Sequence, residues 1–392
     1  MGTHAVRALL WLWLVMACVA VEAMSWAFVR LSSAALGRPI PDRRRFLADQ
    51  SRMLERLVNE PGIRARIHPQ RGWDYPPGYA SDTDHLSDQG LRALRVYDAH
   101  PPPGVTRIAA FGDSFVYCNE VVDRESWTSQ LEAGWRAEVL NYGVGGYGAD
   151  QALLRYQEEA KCLTPQVVIM GFTTLMAPRA VSRYRRFQDP RDGVWFKPRF
   201  TLDGDELRFM PSPVATRQDA ERLIAAPALV TDFGRGDFWY NGAIFEHPVL
   251  SLSATYRLVA AVWVSAYRRY LHPDRIFRGA VLNTKSEAFR LLAAIFRDFA
   301  RAVRANGALP VAVLLPTRSE VDMQADIGST PYETFRQRLV ELGLQFVDLA
   351  PALNASRPRM ADLFAPGGHY SGAGNAIVAA TLADVLGLAP RT

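Results

Sequence analysis

The stretch Arg107-Ile-Ala-Ala-Phe111-Gly112-Asp113-Ser114-Phe115 decides how the rest of the chain is read. A short apolar run that ends in Gly-Asp-Ser and leads into a helix-like segment is a strand–turn–helix unit. It exposes the Ser114 hydroxyl at the carboxyl edge of a sheet. A helix N-terminus aims its spare N–H groups and the positive end of its dipole at any charge that develops there. Open α/β sheets build their sites at that edge. Ser114 is the candidate nucleophile, and the competing reading makes it a plain capping serine.

A serine becomes nucleophilic near neutral pH only with a base in hydrogen-bond reach, usually imidazole. Leu363-Phe-Ala-Pro-Gly-Gly-His369-Tyr-Ser-Gly-Ala-Gly-Asn375 supplies one in a Gly-rich loop before a final helix, expected over 375–387. Between them lies Asn141-Tyr-Gly143-Val-Gly145-Gly146-Tyr-Gly148-Ala-Asp-Gln151. Its glycines fit a dinucleotide fingerprint, but that site needs an acid at the end of the next strand. Val167-Val-Ile-Met-Gly-Phe-Thr-Thr-Leu175 ends without one, and the turn follows the second core strand instead of the first. No cofactor is expected.

In this order the three motifs resemble the SGNH/GDSL hydrolase family of esterases and lipases, from about Ile108 to Leu386 with a long insertion. The resemblance implies an α/β fold with a mostly parallel sheet sandwiched by helices, flavodoxin-like in its three layers. It also implies His369 as base, and backbone N–H groups of Ser114 and Gly146 as oxyanion donors. Such a donor contributes about 3–4 kcal/mol. Two family positions depart. The third donor, an asparagine after the third strand, falls on Met176, whose thioether cannot donate; Thr173 and Thr174 are the candidate substitutes. A hole with two donors would lower kcat by roughly 10²–10³. The family's aspartate three residues before the histidine is Pro366 here. Asp362 is the nearest carboxylate and the candidate acid. A Ser-His dyad is the alternative, because the acid orients the imidazole without being the base.

Leu9 to Val29 is almost continuously apolar. As a helix it reaches about 31 Å, enough for a bilayer core. Trp11, Trp13 and Trp26 sit near its ends as interfacial anchors do, and Glu22 is the one costly residue. Val21-Glu-Ala23 loosely fits a signal-peptide cleavage site, and Val15-Met-Ala-Cys18 faintly fits a lipoprotein box. The apolar run continues past both, favouring an uncleaved anchor. Orientation is contested. Arg30, Arg38, Arg43, Arg44, Arg45, Arg52 and Arg56 follow the span, against Arg7 and the amino terminus before it, which by charge keeps the domain cytoplasmic. Large domains often translocate regardless, and anchored members of the family commonly act outside the cytoplasm. An extracytoplasmic domain is expected.

The 392 residues, 49% hydrophobic and 22% charged, have ordinary globular composition. A net charge of +5 without a basic–aromatic tract argues against nucleic acid. Cys18, Cys118 and Cys162 match no metal spacing, and a Cys118–Cys162 bridge is a minor alternative. His68, His85, His100, His247 and His272 form no metal cluster. The expected organisation is an anchor at 1–30 and an amphipathic helix (42–60, stopped by Pro61-Gly62) plus irregular approach segment over 31–104. A first core part follows at 105–177, a mixed α/β insertion or lid at 178–284 and a second core part at 285–392. Core helices are expected at 115–134, 150–161, 285–306 and 331–343, alternating with strands. In the insertion, Asp203-Gly204 predicts a hairpin turn, and Thr255 to Leu271 a core or lid helix too short to span. Arg179, Arg183, Arg185, Arg186, Arg191, Lys197 and Arg199 form a cationic stretch, either a solvated face or a rim, led by Arg179 and Arg183, for an anionic substrate.

The expected function is ester acyl transfer, with water or a sugar hydroxyl accepting the acyl group. Tethering suits acylated carbohydrate of the envelope, and a transferase would add a membrane acyl donor as partner. The rival is a weak or inactive hydrolase fold that serves as a binding or assembly subunit.

Overall fold

The computed structural model describes residues 3–36, 40–60, 63–159, 163–356 and 360–391. Cys162 and the Pro61-Gly62 stop lie outside these described residues. The chain forms two compact units, Met1–Glu60 with Ser182–Trp195 and Arg217–Pro273, and Pro61–Val181 with Phe196–Thr216 and Asp274–Thr392. The segment expected as one insertion, 178–284, is thus divided between both. The approach segment from residue 63 onward belongs with the core.

The second unit is an α/β fold on a five-stranded parallel sheet. Its strands are β1 (Thr106–Phe111), β2 (Ala137–Asn141), β3 (Val167–Phe172), β4 (Leu309–Leu314) and β5 (Gln345–Asp348), in the order β5-β4-β3-β1-β2. Both faces are covered, which is why the central strands β1, β3 and β4 read as largely apolar runs. On one face Ile108, Ala110, Val139, Ile169 and Val313 pack with Trp127, Leu131, Val378 and Leu382. On the other, Phe111 stacks on Tyr142, and Phe172 meets Phe296 and Phe335. Each buried Val, Leu, Ile or Phe side chain among them contributes about 1.5–3 kcal/mol. Chain order reverses between β1 and β3, so the carboxyl end of β1 opens at a topological switch point, where open α/β sheets bind ligands.

The segment expected as one helix over 115–134 is broken. A single turn (Ser114–Tyr117) and a 3-10 turn (Asp123–Glu125) precede the helix proper, Trp127–Gly134, which Ser126 caps. The final helix starts three residues earlier than expected, at Gly372–Val385, with Ser371 as cap. The expected hairpin forms, with Arg199–Asp203 paired to Glu206–Met210, but it turns on Gly204-Asp205, one residue later than the Asp203-Gly204 turn expected.

In the first unit, α1 (Thr3–Leu36) is apolar and long enough to cross a membrane by length and composition. Asp42 caps α2 (Arg43–Asn59), accepting from the Arg45 N–H at 3.1 Å, and α2 buries Phe46, Gln50 and Leu54. Phe46 joins an aromatic cluster with Tyr184, Phe187 and Phe245. The buried Asp237 carboxylate accepts from the backbone N–H groups of Arg183, Tyr184 and Trp239. The apolar helix of the insertion is α3 (Ala254–Ala266), which continues through a π turn at Tyr267–Leu271. It packs its N-terminal end against α1 and leaves Val259, Val262 and Trp263 exposed, so it is not a core helix.

Candidate active site

Gly112 lets the chain turn sharply out of β1, since a side chain there would meet Val116. Asp113 then caps the short helical turn, accepting from the Phe115 N–H at 3.0 Å. Its other oxygen accepts from Thr173 Oγ1 and Arg179 Nη1, each at 2.9 Å. Arg179 also donates to the Tyr147 carbonyl at 2.9 Å, tying the glycine turn to the Gly-Asp-Ser turn.

This changes three expectations. Arg179 is a buried partner of Asp113, not an exposed rim residue. Arg183 belongs to the first unit, where its backbone holds Asp237. Thr173 donates its hydroxyl proton to Asp113, and Thr174 donates its own to Glu320, so neither hydroxyl is left to an oxyanion. Most of the wider cationic stretch is no solvated face either, although Arg191 is exposed and pairs with Asp189 at the surface. Lys197 pairs with Asp150 and Arg199 with Glu287, all but Glu287 buried.

The loop before the final helix brings His369 onto Ser114, with Nε2 2.8 Å from Oγ. The ring's other nitrogen, Nδ1, lies 2.5 Å from Oε2 of Glu120. Glu120 also accepts from the backbone N–H groups of Gly367 at 2.6 Å and His369 at 3.1 Å. Burial pushes the Glu120 carboxyl up, but the bonds from the His369 ring and the two backbone N–H groups outweigh it and hold it below the usual carboxylate range. Asp362, expected as the acid, is exposed, and among the described residues its side chain has no hydrogen-bond partner, while its backbone carbonyl accepts from the Ser371 hydroxyl. The correction has a local cause. Pro366-Gly367-Gly368 wraps around a carboxylate delivered from another segment, and Gly368 takes a φ of +97° to do it.

The sequence reading missed Glu120 because it lay inside the expected helix. The break that frees it is enforced by Arg92, from the approach segment. Its guanidinium donates to the carbonyls of Tyr117, Cys118 and Val121 and pairs with Asp123. Cys118 and Glu120 take left-handed φ values of 65° and 71°, a conformation that costs roughly 1–2 kcal/mol for a residue with a side chain. Two left-handed residues so close together re-aim the chain by which the Glu120 carboxylate reaches His369.

The glycine turn after β2 is held equally firmly. Asn141 donates to the Val116 carbonyl at 2.9 Å and accepts from the Gly143 N–H at 2.9 Å. A Cβ on Gly143 would stand 2.3 Å from the Tyr117 nitrogen, so only glycine fits. Tyr75 accepts from the Gly145 N–H at 3.1 Å, Trp73 donates to the Gly145 carbonyl at 3.2 Å, and Gly146 adopts φ +81°. Among the described residues the N–H groups of Ser114 and Gly146 have no acceptor. Beside the turn, the Asn119 amide makes no hydrogen bond among the described residues, and its Oδ1 is buried. Met176 is fully buried. No group of three or more His, Cys, Asp or Glu among the described residues could hold a metal.

A flavodoxin-like sheet with a serine–histidine–glutamate relay at its switch point is therefore the class that fold and site define. No family model matches the chain, and no curated protein matches it. Solved structures similar to it include a member of the lipolytic protein G-D-S-L family from Veillonella parvula, 11% identical, covering 72% of this chain and 99% of that one with a TM-score of 0.34. A lipase/acylhydrolase from Enterococcus faecalis is 12% identical over 74% of this chain and 100% of its own, with a TM-score of 0.35. A catalytic mutant of an acetylxylan esterase from Geobacillus stearothermophilus is 14% identical over 72% and 94%, with a TM-score of 0.36. At this level of similarity, function rests on the chain's own chemistry.

Proposed function

We propose that the protein is a membrane-anchored serine esterase or acyl-transfer enzyme of the SGNH/GDSL type. One observation carries the reading, the unbroken relay from Ser114 Oγ through His369 to Glu120. His369 Nε2 takes the Ser114 proton as Oγ attacks the ester carbonyl, and Glu120 holds the imidazole tautomer and the imidazolium that forms. Collapse of the tetrahedral intermediate expels the alcohol with that proton and leaves an acyl-serine. Water, or a sugar hydroxyl, then releases the acyl group by the reverse proton path.

The oxyanion is held by the N–H groups of Ser114 and Gly146. Asn119 replaces the absent third-motif asparagine as the third donor, since its amide is uncommitted and adjoins the glycine turn. A tether through α1 suits action on O-acyl groups of envelope or exported polysaccharide, with the domain on the extracytoplasmic side.

Fluorophosphonate labelling tests the chemistry. Wild type takes up the probe at one serine and hydrolyses a small activated ester, and Ser114→Ala does neither. Equal background rates and no labelling in wild type would establish the binding-subunit reading instead, which the burial of Met176 and the engagement of Thr173 and Thr174 favour.

A further inference from the structure

We infer that residues 249–271 form a second membrane-contacting element, laid obliquely into a lipid bilayer beside α1. The inference rests on the reading of α1 as a transmembrane anchor. Among residues 4–31, the only α1 side chains sheltered by protein are Glu22, Ser25 and Val29, one helical stripe. That stripe faces the start of α3. Glu22 accepts from Ser253 Oγ at 2.7 Å and from the N–H groups of Ala254 at 2.5 Å and Thr255 at 3.2 Å, and Thr255 Oγ1 lies 2.9 Å from Ser25 Oγ.

The depth of this contact follows from α1 itself. Arg30, stacked over Trp26 at 4.1 Å, has the character of a water-side boundary. Glu22 lies eight residues before Arg30, about 12 Å down the helix at 1.5 Å per residue. A carboxylate at that depth is costly unless fully bonded. The unsatisfied N–H groups of a helix N-terminus supply those bonds and a favourable dipole. The first turn of α3 must therefore lie at the same depth as Glu22.

The surroundings of that turn are apolar and uncovered. Val249 is 76% exposed, and Leu250 and Leu252 beside it are exposed as well. Along α3 the inward face carries Ala254, Arg257 and Ala260, while Val259 and Trp263, 61% and 63% exposed, point outward with Val262. A water-facing helix would carry polar residues there. Arg257 escapes lipid by pairing with Asp42. Beyond Trp263 the exposed residues are Ser265, Tyr267, Arg269, Tyr270 and Leu271, a set dominated by the aromatic and basic side chains of a headgroup zone. The gradient runs from aliphatic at Glu22 to aromatic and basic at the far end. Continuity with α1 and this gradient identify lipid as the occupant.

Site-directed spin labelling of the full chain in phosphatidylcholine–phosphatidylglycerol vesicles tests this, with the native cysteines replaced. Labels go singly at Leu252→Cys, Val259→Cys and Tyr270→Cys, with Trp13→Cys in α1 and Val340→Cys, exposed on the second unit, as references. The expected oxygen-to-nickel accessibility ratio at Leu252 approaches that at Trp13. It falls through Val259 to Tyr270 and is lowest at Val340. A ratio at Leu252 and Val259 equal to that at Val340, with Trp13 still reading lipid, overturns the inference and leaves the anchor standing. Low accessibility to both reagents at Leu252 and Val259 also overturns it, marking a second copy or another protein as the cover. An aqueous reading at Trp13 itself overturns the anchor and the inference together. Three label positions keep the test intact should one variant misfold.

Discussion

At the scale of single residues, one carboxylate separates two accounts of the site. Glu120, not Asp362, meets His369 Nδ1. Glu120→Gln should lower kcat by up to about 10⁴-fold, the effect of presenting the wrong imidazole tautomer, whereas Asp362→Ala should leave steady-state kinetics unchanged. A sharper variant is Gly367→Ala. Its Cβ would stand 2.3–2.7 Å from the carboxyl atoms of Glu120, the movable end of a side chain. The fold should hold, with melting temperature near wild type, while kcat falls because Glu120 is pushed off the ring. Asn119→Ala should cost roughly 10²–10³ in kcat with little change in KM, as for a lost oxyanion donor; unchanged kcat would leave the hole with two donors. The lowered Glu120 pKa carries a signed consequence. A carboxyl depressed in the folded state stabilises the fold above its unfolded pKa and loses that contribution as pH falls through the folded value. In acid melts, Glu120→Gln should show a shallower loss of stability than wild type across that window.

At the scale of elements, β1, β3 and β4 were legible because burial on both faces leaves an apolar run, while β2, with Glu138, and β5, bounded by Gln345 and Asp348, were legible from the strand–helix alternation. The hairpin was legible from Asp203-Gly204, with its turn one residue later and Gly204 at φ +59°. The break in the segment 115–134 was not. Its periodicity is helical on both sides, and what interrupts it is a guanidinium from a distant segment, Arg92, that no local pattern announces. The same long-range cause hid the proposed catalytic acid, since Glu120 becomes available only once Arg92 has gathered the carbonyls of Tyr117, Cys118 and Val121. The pairing of Ser114 with His369 was legible because each sits in a short motif beside a helix start, and the turn that holds Gly146 because it is glycine-rich. Thr173 and Thr174 misled because hydroxyl chemistry was visible in sequence while their partners, Asp113 and Glu320, were not. Arg92 is thus a positioning residue with a distinct signature. Arg92→Met takes the guanidinium from the buried Asp123 and leaves it only the His85 ring and backbone N–H, which should cost up to about 3–5 kcal/mol. It should also lower kcat by relaxing Glu120. Arg92→Lys, keeping charge but losing the fork, should recover stability more than kcat, and equal recovery of both would reduce Arg92 to a folding role.

At the scale of the whole molecule, each unit has its own apolar logic. The second encloses its sheet, while the first carries α1 and leaves the outer face of α3 bare. Membrane orientation is the property on which sequence signals conflict. The arginines after the span exceed those before it, and acidic residues do little to offset them in setting topology. Several are already engaged within the first unit, Arg43 with the Phe245 carbonyl, Arg52 with Asp49 and Arg56 with Glu60. Those bonds form only after folding, so they cannot hide the charges from the insertion machinery. An extracytoplasmic domain therefore requires that the bulk of the chain overrides the local bias, as long translocated domains do. Fusing alkaline phosphatase or a fluorescent protein after Thr392 should give an active phosphatase and a dark fluorophore. A bright fluorophore with inactive phosphatase would return the domain to the cytoplasm. The relay at Ser114 would stand unchanged, but an acylated exported polysaccharide could no longer be its substrate, and a cytoplasmic or inner-leaflet ester would have to take its place.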